Sequence, residues 1–255
     1  MTDTVLETDG LTKRFGELTA VDNVDLEVKA GEFRSVIGPN GAGKTTTFNL
    51  ITGALIPTEG AVLFDGEEIT TMPPHERVHR GVGRSFQITN VFGGLGVREN
   101  VRLAAPSVHA DEISPQEAMF RTKNSFDDLA AKTDEILDQI GLRERADENA
   151  QTLAYGDQRR LEIGLVLATD PELVMLDEPT AGMSTEETQD TMDLINDVLS
   201  DQSLMLIEHD IDLVMRVSDR ITVLTRGQVL ASGTPEEIAA NEDVRDAYLG
   251  GARDE

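Results

Sequence analysis

The amino-acid sequence predicts an α/β fold with a mixed or parallel sheet, a small antiparallel β subdomain and a helical subdomain. Three observations predict it. Apolar and polar residues alternate at the start of the chain, as expected of half-buried strands. Beyond Gln158, helical patterns alternate with continuous apolar strands, which is typical of a parallel sheet covered on both faces. A polar, acidic, helix-favouring stretch lies between these two regions.

The predicted elements of the first third mix two kinds of sheet. Helical spacing over residues 45–55 passes through Phe48, Leu50 and Ile51 and ends before Pro57. The strands are expected at 5–15, 20–28, 31–38, 61–66 and 67–70. We therefore expect a small antiparallel sheet beside the first unit of a parallel one.

The middle of the chain predicts the helical subdomain, at 95–154. Residues 126–142 favour a helix, and Ser114 followed by Pro115 and Glu117 is a helix-start signal. A loose loop over residues 111–125 is the alternative interpretation.

The last third returns to the α/β rhythm. Strands are expected at 172–179, 203–210 and 220–227, and helices at 159–170, 184–201 and 212–219. The sequence shows no internal repeat, low-complexity tract or interdomain linker.

Length and composition limit the class of protein. The 255 residues suit one large α/β domain with a subdomain, or at most two ordinary domains. Cysteine is absent, which excludes disulfides and thiolate metal sites and favours a reducing compartment. The start of the chain lacks the pattern of a secretory signal, and no stretch reaches the roughly 18 apolar residues of a membrane span. These features predict a soluble, cytoplasmic protein.

The net charge is strongly negative, with 48 acidic against 22 basic residues and a formal charge of −26. Such a chain repels nucleic acid and anionic lipid unless it has a basic patch, and the sequence shows none. Lysine is scarce and aromatic residues make up 4%, which resembles proteins from salt-adapted cells. An ordinary acidic protein is the alternative, because charge bears on solubility and not on fold.

A glycine-rich loop is the first motif that carries chemistry. It matches G-x-x-x-x-G-K-[ST] between a predicted strand and a predicted helix, the setting that phosphate binding requires. Backbone N–H groups and the helix start can bind phosphates, Lys44 adds a positive charge, and the Thr45 hydroxyl can ligate Mg²⁺. A plain glycine turn is the alternative. The candidate nucleotide-binding residues are Gly38, Asn40, Gly41, Ala42, Gly43, Lys44, Thr45 and Thr46.

Two carboxylates end the apolar strand at 172–179. Asp177 lies where a Mg²⁺-bound water can donate to it, and Glu178 can orient the attacking water as a general base. An Asp-Glu pair after a strand also serves as a helix-entry cap, but the glycine loop in the same chain favours catalysis.

An ordered set of motifs resembles the ATP-binding-cassette (ABC) ATPases over essentially the whole chain. The set is GPNGAGKTT (38–46), Gln87, LAYGDQRR (153–160), VMLDEPTAGMS (174–184) and IEHD (207–210). The resemblance implies a single ATPase domain that binds ATP and Mg²⁺, with a P-loop NTPase core and antiparallel β subdomain at 1–94 and 155–255. It also implies a sandwich dimer, in which each ATP lies between one subunit's phosphate loop and the other's signature loop.

The same resemblance assigns further residues. Phe15 takes the place of the aromatic that stacks on adenine, with core packing as its alternative role. Gln87 resembles a Mg²⁺- or water-contacting glutamine, and His209 resembles a switch histidine that reaches the γ-phosphate. The signature loop corresponds to Leu153, Ala154, Tyr155, Gly156 and Asp157.

Two departures from the family pattern stand out. Ala154 replaces the signature serine that would contact the opposite γ-phosphate, and Ser184 replaces the aspartate usual after the catalytic glutamate. We expect the dimer to close nonetheless, with a changed contribution from this subunit.

Four longer stretches of the sequence, at 81–101, 153–184, 206–238 and 243–250, are similar to the ATPase subunits of branched-chain amino acid importers. That resemblance implies a second ABC ATPase subunit in a homodimer or heterodimer, two transmembrane permeases, an extracellular solute-binding protein and a place at the cytoplasmic face of the membrane. Urea importers are the alternative of the same class.

Two alternatives belong to other classes of protein. A soluble ABC ATPase acting on nucleic acid or ribosomes is disfavoured by the charge and by the lack of a coiled-coil insertion or second cassette. A non-catalytic nucleotide sensor is disfavoured by the intact motifs.

Overall fold

The computed structural model describes residues 4–84, 91–105 and 124–249. Gln87 and the helix-start signal at Ser114 therefore lie outside the described residues. The strands are β1 (Thr4–Phe15), β2 (Leu18–Lys29), β3 (Phe33–Ile37), β4 (Glu59–Phe64), β5 (Glu67–Glu68), β6 (Val82–Arg84), β7 (Leu173–Asp177), β8 (Ser203–Ile207), β9 (Arg220–Thr225) and β10 (Gln228–Gly233). The helices are α1 (Lys44–Ile51), α2 (Pro74–His79), α3 (Val97–Ala104), α4 (Asn124–Gln139), α5 (Tyr155–Ala168), α6 (Thr185–Val198), α7 (Ile211–Val217), α8 (Pro235–Ala240) and α9 (Glu242–Leu249).

The chain forms two compact units. The described residues of the first are 4–77, 175–178 and 202–249, and those of the second are 78–84, 91–105, 124–174 and 179–201. The residues predicted to form a helical subdomain, 95–154, fall within the span of the second unit. The bounds of that subdomain stay a prediction.

An antiparallel sheet in the first unit has the strand order β2-β1-β4-β5. Its buried face includes Leu6, Val28 and Phe64, with Leu6 paired with Val28 and with Phe64. The alternation in the sequence is that of a sheet with one face in the core and one in water.

The second sheet of the first unit has the order β10-β9-β3-β8-β7, with Met175–Asp177 as the contribution of β7. Strand β3 pairs in parallel with β8 and with β9, and β10 is antiparallel to β9. Every residue of β3 and β8 is buried. The continuous apolar sequence of β8 predicts this burial, whereas the sequence of β3, which contains Arg34 and Ser35, does not. The carboxyl ends of β3 and β8 therefore lie at the same edge of the sheet.

Helices dominate the second unit, where α3 packs against α4 and α5. Their buried residues include Val97, Val101, Leu137 and Leu161. Arg98 and Arg143 both pair with Asp134, and the Arg98 hydrogen bond is the main cause that lowers the pKa of that carboxyl group.

Several element bounds differ from the sequence expectation. Helix α1 ends at Ile51 and not at 55, because the chain turns at Gly53 with φ 78°. Helix α5 begins at Tyr155 and not at 159, because Ala154 starts it without a side-chain cap that the sequence could signal. The edge strand β10 and the short helices α2, α8 and α9 have few buried residues and were not predicted.

Within residues 4–84, 91–105 and 124–249, each helix is too short or too polar to cross a bilayer.

The charge of −26 predicts a salt-dependent stability. Raising KCl shortens the Debye length from about 10 Å at 0.1 M to about 3 Å at 1 M, which screens the repulsion among the carboxylates. If screening contributes about 2 kcal/mol, the melting temperature rises by about 4–8 °C. Calorimetry across a KCl series measures the shift.

A triple variant provides the matched control for this shift. Glu17, Glu67 and Asp201 are exposed, and replacing them with Gln, Gln and Asn should reduce the slope of melting temperature against salt. An unchanged melting temperature across the series would show that self-repulsion contributes little to stability.

Candidate functional site

The phosphate-loop candidate begins where β3 ends. Ile37 is buried, and the chain then leaves the sheet through Gly38 to the start of α1. Gly43 precedes the helix with φ 102°, and a Cβ there would lie 2.6 Å from the Ala20 carbonyl oxygen. Glycine is therefore needed at this position, both for the backbone conformation and for the close approach to β2.

The remaining loop residues present backbone and hydroxyl groups to solvent. Asn40, Gly41 and Thr45 are exposed, Thr46 is half-buried, and Ala42 is buried. The amide N–H groups that begin α1 have no acceptor within the helix itself, so this end of the helix can bind an anion.

Lys44 folds back over the loop. Its Nζ donates to the carbonyl oxygens of Gly38 at 2.7 Å and Pro39 at 3.2 Å. Burial lowers the pKa of the Lys44 ammonium group, while the negative charges of Glu178 and Asp177 act in the opposite direction. The structure thus brings the predicted lysine and the two predicted carboxylates into one electrostatic environment within the first unit.

Asp177 and Glu178 lie at the end of β7. Asp177 is 1% exposed. Glu178 has a φ of 48°, and its N–H donates to the Ile207 carbonyl at the end of β8 at 2.9 Å. A positive φ in a non-glycine residue costs of order 1 kcal/mol and is commonest at functional sites, where surrounding contacts hold it. The positive φ of Glu178 thus changes the direction of the backbone sharply between the carboxylates of Asp177 and Glu178.

His209 follows β8 and is largely exposed, with 69% of its side chain accessible. Its neighbour Glu208 is buried, and the Glu208 Oε2 accepts from the His209 N–H at 3.1 Å and lies 3.5 Å from Nδ1. Asp210 then caps α7 by accepting from the Leu213 N–H at 3.0 Å. Sequence reasoning missed Glu208, although a carboxylate between an apolar strand and a histidine is itself a signal.

Phe15 ends β1 and is 47% exposed. The Nζ of Lys13 lies 5.3 Å from the ring centroid and donates to the Ile56 carbonyl at 2.7 Å. Part of the aromatic surface therefore remains accessible to a planar ligand.

The signature residues belong to the second unit. Leu153 is buried, Ala154 precedes α5, and Tyr155, Gly156 and Asp157 form the first turn of that helix. Most residues of the predicted signature loop thus lie at the start of a helix. Their backbone N–H groups remain available as donors.

Two contacts of this helix start were not predicted. The Tyr155 hydroxyl donates to the Ala181 carbonyl at 3.1 Å, and Arg145 pairs with Asp157. Both partners are far away in sequence, so no local pattern could have identified them.

Ser184 has a local role that explains its tolerance in place of aspartate. Its Oγ accepts from the Glu187 N–H at 3.3 Å, and Glu187 accepts from the Ser184 N–H at 2.8 Å, which completes a capping box for α6. Serine and aspartate are both good residues at this position.

The oxygen ligands that this site offers suit the Mg²⁺ ion of MgATP. Thr45 offers a hydroxyl and Asp177 a buried carboxylate, which are hard oxygen ligands suited to Mg²⁺. In the parts of the chain that the structure describes, no cluster of three or more His, Asp or Glu side chains could hold a metal alone.

Comparison with known proteins gives the family. The profile of the ABC transporter family matches residues 21–181, and that of the branched-chain amino acid ATP-binding cassette transporter matches 228–254. The chain is 44% identical to the high-affinity branched-chain amino acid transport ATP-binding protein BraF of Pseudomonas aeruginosa, over 99% of this chain and 100% of the relative. It is 43% identical to the corresponding protein LivG of Escherichia coli K12, with the same coverage.

A solved structure gives the same result. The ADP conformation of an ATP-binding cassette of an ABC transporter superposes with a TM-score of 0.82 at 30% identity, covering 98% of this chain and 100% of that one. The predicted α/β fold of an ABC ATPase is confirmed. The chain therefore belongs to the ABC transporter family, as one of its ATP-binding, ATP-hydrolysing proteins.

Proposed function

We propose that this chain hydrolyses ATP to power the uptake of branched-chain amino acids through separate permease subunits. One observation carries the catalytic part: Lys44 shares its electrostatic environment with Asp177 and Glu178, at the end of the glycine loop. The full-length likeness to BraF and LivG supports the substrate.

The loop from Gly38 to Thr46 binds the nucleotide phosphates. Its backbone N–H groups and the start of α1 donate to phosphate oxygens, and the Lys44 ammonium group leaves the Gly38 and Pro39 carbonyls to pair with them. Phe15 stacks on the adenine ring with the accessible part of its aromatic surface.

Thr45 and Asp177 hold Mg²⁺, together with Gln87 as the family resemblance implies. When bound, Mg²⁺ neutralises the charge that develops on the phosphates. Asp177 is 1% exposed, and its negative charge acts on the ammonium group of Lys44 in the same site.

Glu178 acts as the general base. Its carboxylate takes a proton from the attacking water as the water oxygen bonds to the γ-phosphorus and the bond to the leaving ADP oxygen breaks. His209 donates to the γ-phosphate from the end of β8, and the buried Glu208 beside it helps to fix the imidazole.

The signature residues Leu153 to Asp157 serve the ATP of a second ABC ATPase subunit. Without a serine at Ala154, backbone N–H groups at the start of α5 supply the donors to that nucleotide. ATP binding closes the dimer, and phosphate release reopens it.

The remaining assembly follows from the transporter assignment. Two permeases anchor the ATPase pair at the cytoplasmic face of the membrane, and an extracellular binding protein delivers the amino acid. The helical residues of 95–154 transmit closure to the permeases.

Reconstitution tests the proposed transport function. We expect the complex of this chain with its permeases, purified from native membranes and placed in proteoliposomes, to raise its ATPase rate several-fold when leucine-loaded binding protein is added. The isolated chain provides the baseline.

Each other outcome has a definite meaning. Stimulation by urea with its binding protein, and not by leucine, isoleucine or valine, would replace the proposed substrate with the alternative one. Co-purification with ribosomes or DNA in place of permeases would overturn a transport function.

A further inference from the structure

Arg77 is a fully buried arginine that neither the motifs nor the nucleotide site accounts for. It is 1% exposed, and burial lowers the pKa of its guanidinium group to about 10. Burying a cation is costly unless its donors are satisfied, so its position needs a reason.

The guanidinium group donates to four backbone carbonyls. Nη1 donates to Leu50 at 2.9 Å and Ile51 at 2.5 Å, Nη2 donates to Thr70 at 2.8 Å, and Nε donates to Met72 at 2.9 Å. Leu50 and Ile51 are the last residues of α1, the helix whose other end begins at Lys44. The last carbonyls of a helix lack an N–H donor from within the helix, and their partial negative charge attracts a cation. The Leu50 carbonyl also accepts from the Gly53 N–H at 3.3 Å, in the turn after α1.

The other two acceptors belong to a segment fixed to the antiparallel sheet. The Thr70 Oγ1 accepts from the Val62 N–H at 3.0 Å, and the Ile69 N–H donates to the Val62 carbonyl at 2.8 Å. Val62 is in β4, which pairs with β1. Arg77 therefore connects the carboxyl end of α1 to this sheet.

The turn at Gly53 is independent evidence that the backbone leaves space for the Arg77 guanidinium group. Its φ is 78°, and a Cβ there would lie 2.8 Å from the Arg77 Nε and 2.9 Å from the Met72 carbonyl oxygen. The turn after α1 thus leaves room for the guanidinium group.

We propose that Arg77 is a positioning residue for the phosphate site, which holds the carboxyl end of α1 and thereby sets how its other end presents Lys44 and Thr45. The proposal rests on the proposed phosphate-binding role of that end. Helix α1 has eight residues, about 12 Å, so it moves as a short rigid rod. A tilt at Ile51 displaces Lys44, and displacements near 1 Å at a site are costly.

Two substitutions of Arg77 test the proposal, with MgADP affinity measured by calorimetry well below each variant's melting temperature. Arg77→Lys keeps the charge but cannot span four carbonyls, and Arg77→Gln loses the charge. We expect Arg77→Lys to bind MgADP roughly 10-fold more weakly than the unmodified chain, the lower end of what residues that orient a binding site typically contribute. Arg77→Gln should bind more weakly still, and it carries the test if the lysine variant does not fold.

A stability control separates positioning from folding. Val244 is buried in a cluster with Val214 and Ile238, so Val244→Ala should lower the melting temperature without changing MgADP affinity. Unchanged affinity in both Arg77 variants would overturn the proposal, as would an equal loss in Val244→Ala. Unchanged MgADP binding in Lys44→Ala would instead overturn the phosphate site itself, so the two failures are distinguishable.

Discussion

Lys44→Ala should bind MgATP at least about 30-fold more weakly than the unmodified chain. The substitution removes a half-buried ammonium group whose attraction to phosphate is worth about 2–4 kcal/mol in such an environment. It also removes the donor to the Gly38 and Pro39 carbonyls, which orders the loop before nucleotide arrives. Fluorescence titration with a labelled ATP analogue measures the affinity.

Lys132→Ala is the matched control for Lys44→Ala. Lys132 lies in α4 and pairs with Asp170 at 3.3 Å, on the surface. Its loss should leave nucleotide affinity within about twofold, because an exposed ion pair contributes little. If Lys44→Ala binds as well as Lys132→Ala, the glycine loop is not the phosphate site.

The strands that carry the site were predictable because their sequences are unambiguous. Strands β7 and β8 are mainly apolar, and β3, which contains Arg34 and Ser35, is marked by the glycines that bound it. All three strands are buried, and each is followed by residues with a specific chemistry. Parallel pairing of β3 with β8 then brings the glycine loop and His209 to one edge. The position of the site therefore follows from local sequence and one topological rule.

The residues that support the site were not predictable, because their partners are distant in sequence. Arg77 contacts the end of α1, Arg145 contacts Asp157, and Tyr155 contacts Ala181. The local sequence does not distinguish Arg77 from a surface arginine, and only the fold shows that it is buried. The backbone conformation of single residues was equally unpredictable from the sequence, as the positive φ of Glu178 illustrates.

Glu178→Gln should lower kcat for ATP hydrolysis by about 100- to 1000-fold and leave ATP affinity within about threefold. A carboxamide has the shape of the carboxylate but cannot accept the proton of the attacking water, and general-base catalysis contributes factors of this size. The backbone supports the substitution, since the φ of 48° and the bond from its N–H to Ile207 do not depend on the side-chain charge. Phosphate release under saturating ATP measures kcat.

The comparison with Glu172→Gln makes the test of the base specific. Glu172 is exposed and lies just before β7, so its amide variant changes the same charge without entering the site. Retained hydrolysis in Glu178→Gln would assign the base to another residue. A parallel loss of ATP affinity would show that Glu178 binds substrate and does not only activate water. The expected pattern, tight binding with slow turnover, requires that Lys44 and the glycine loop hold the phosphates while the carboxylate after Asp177 acts on the water.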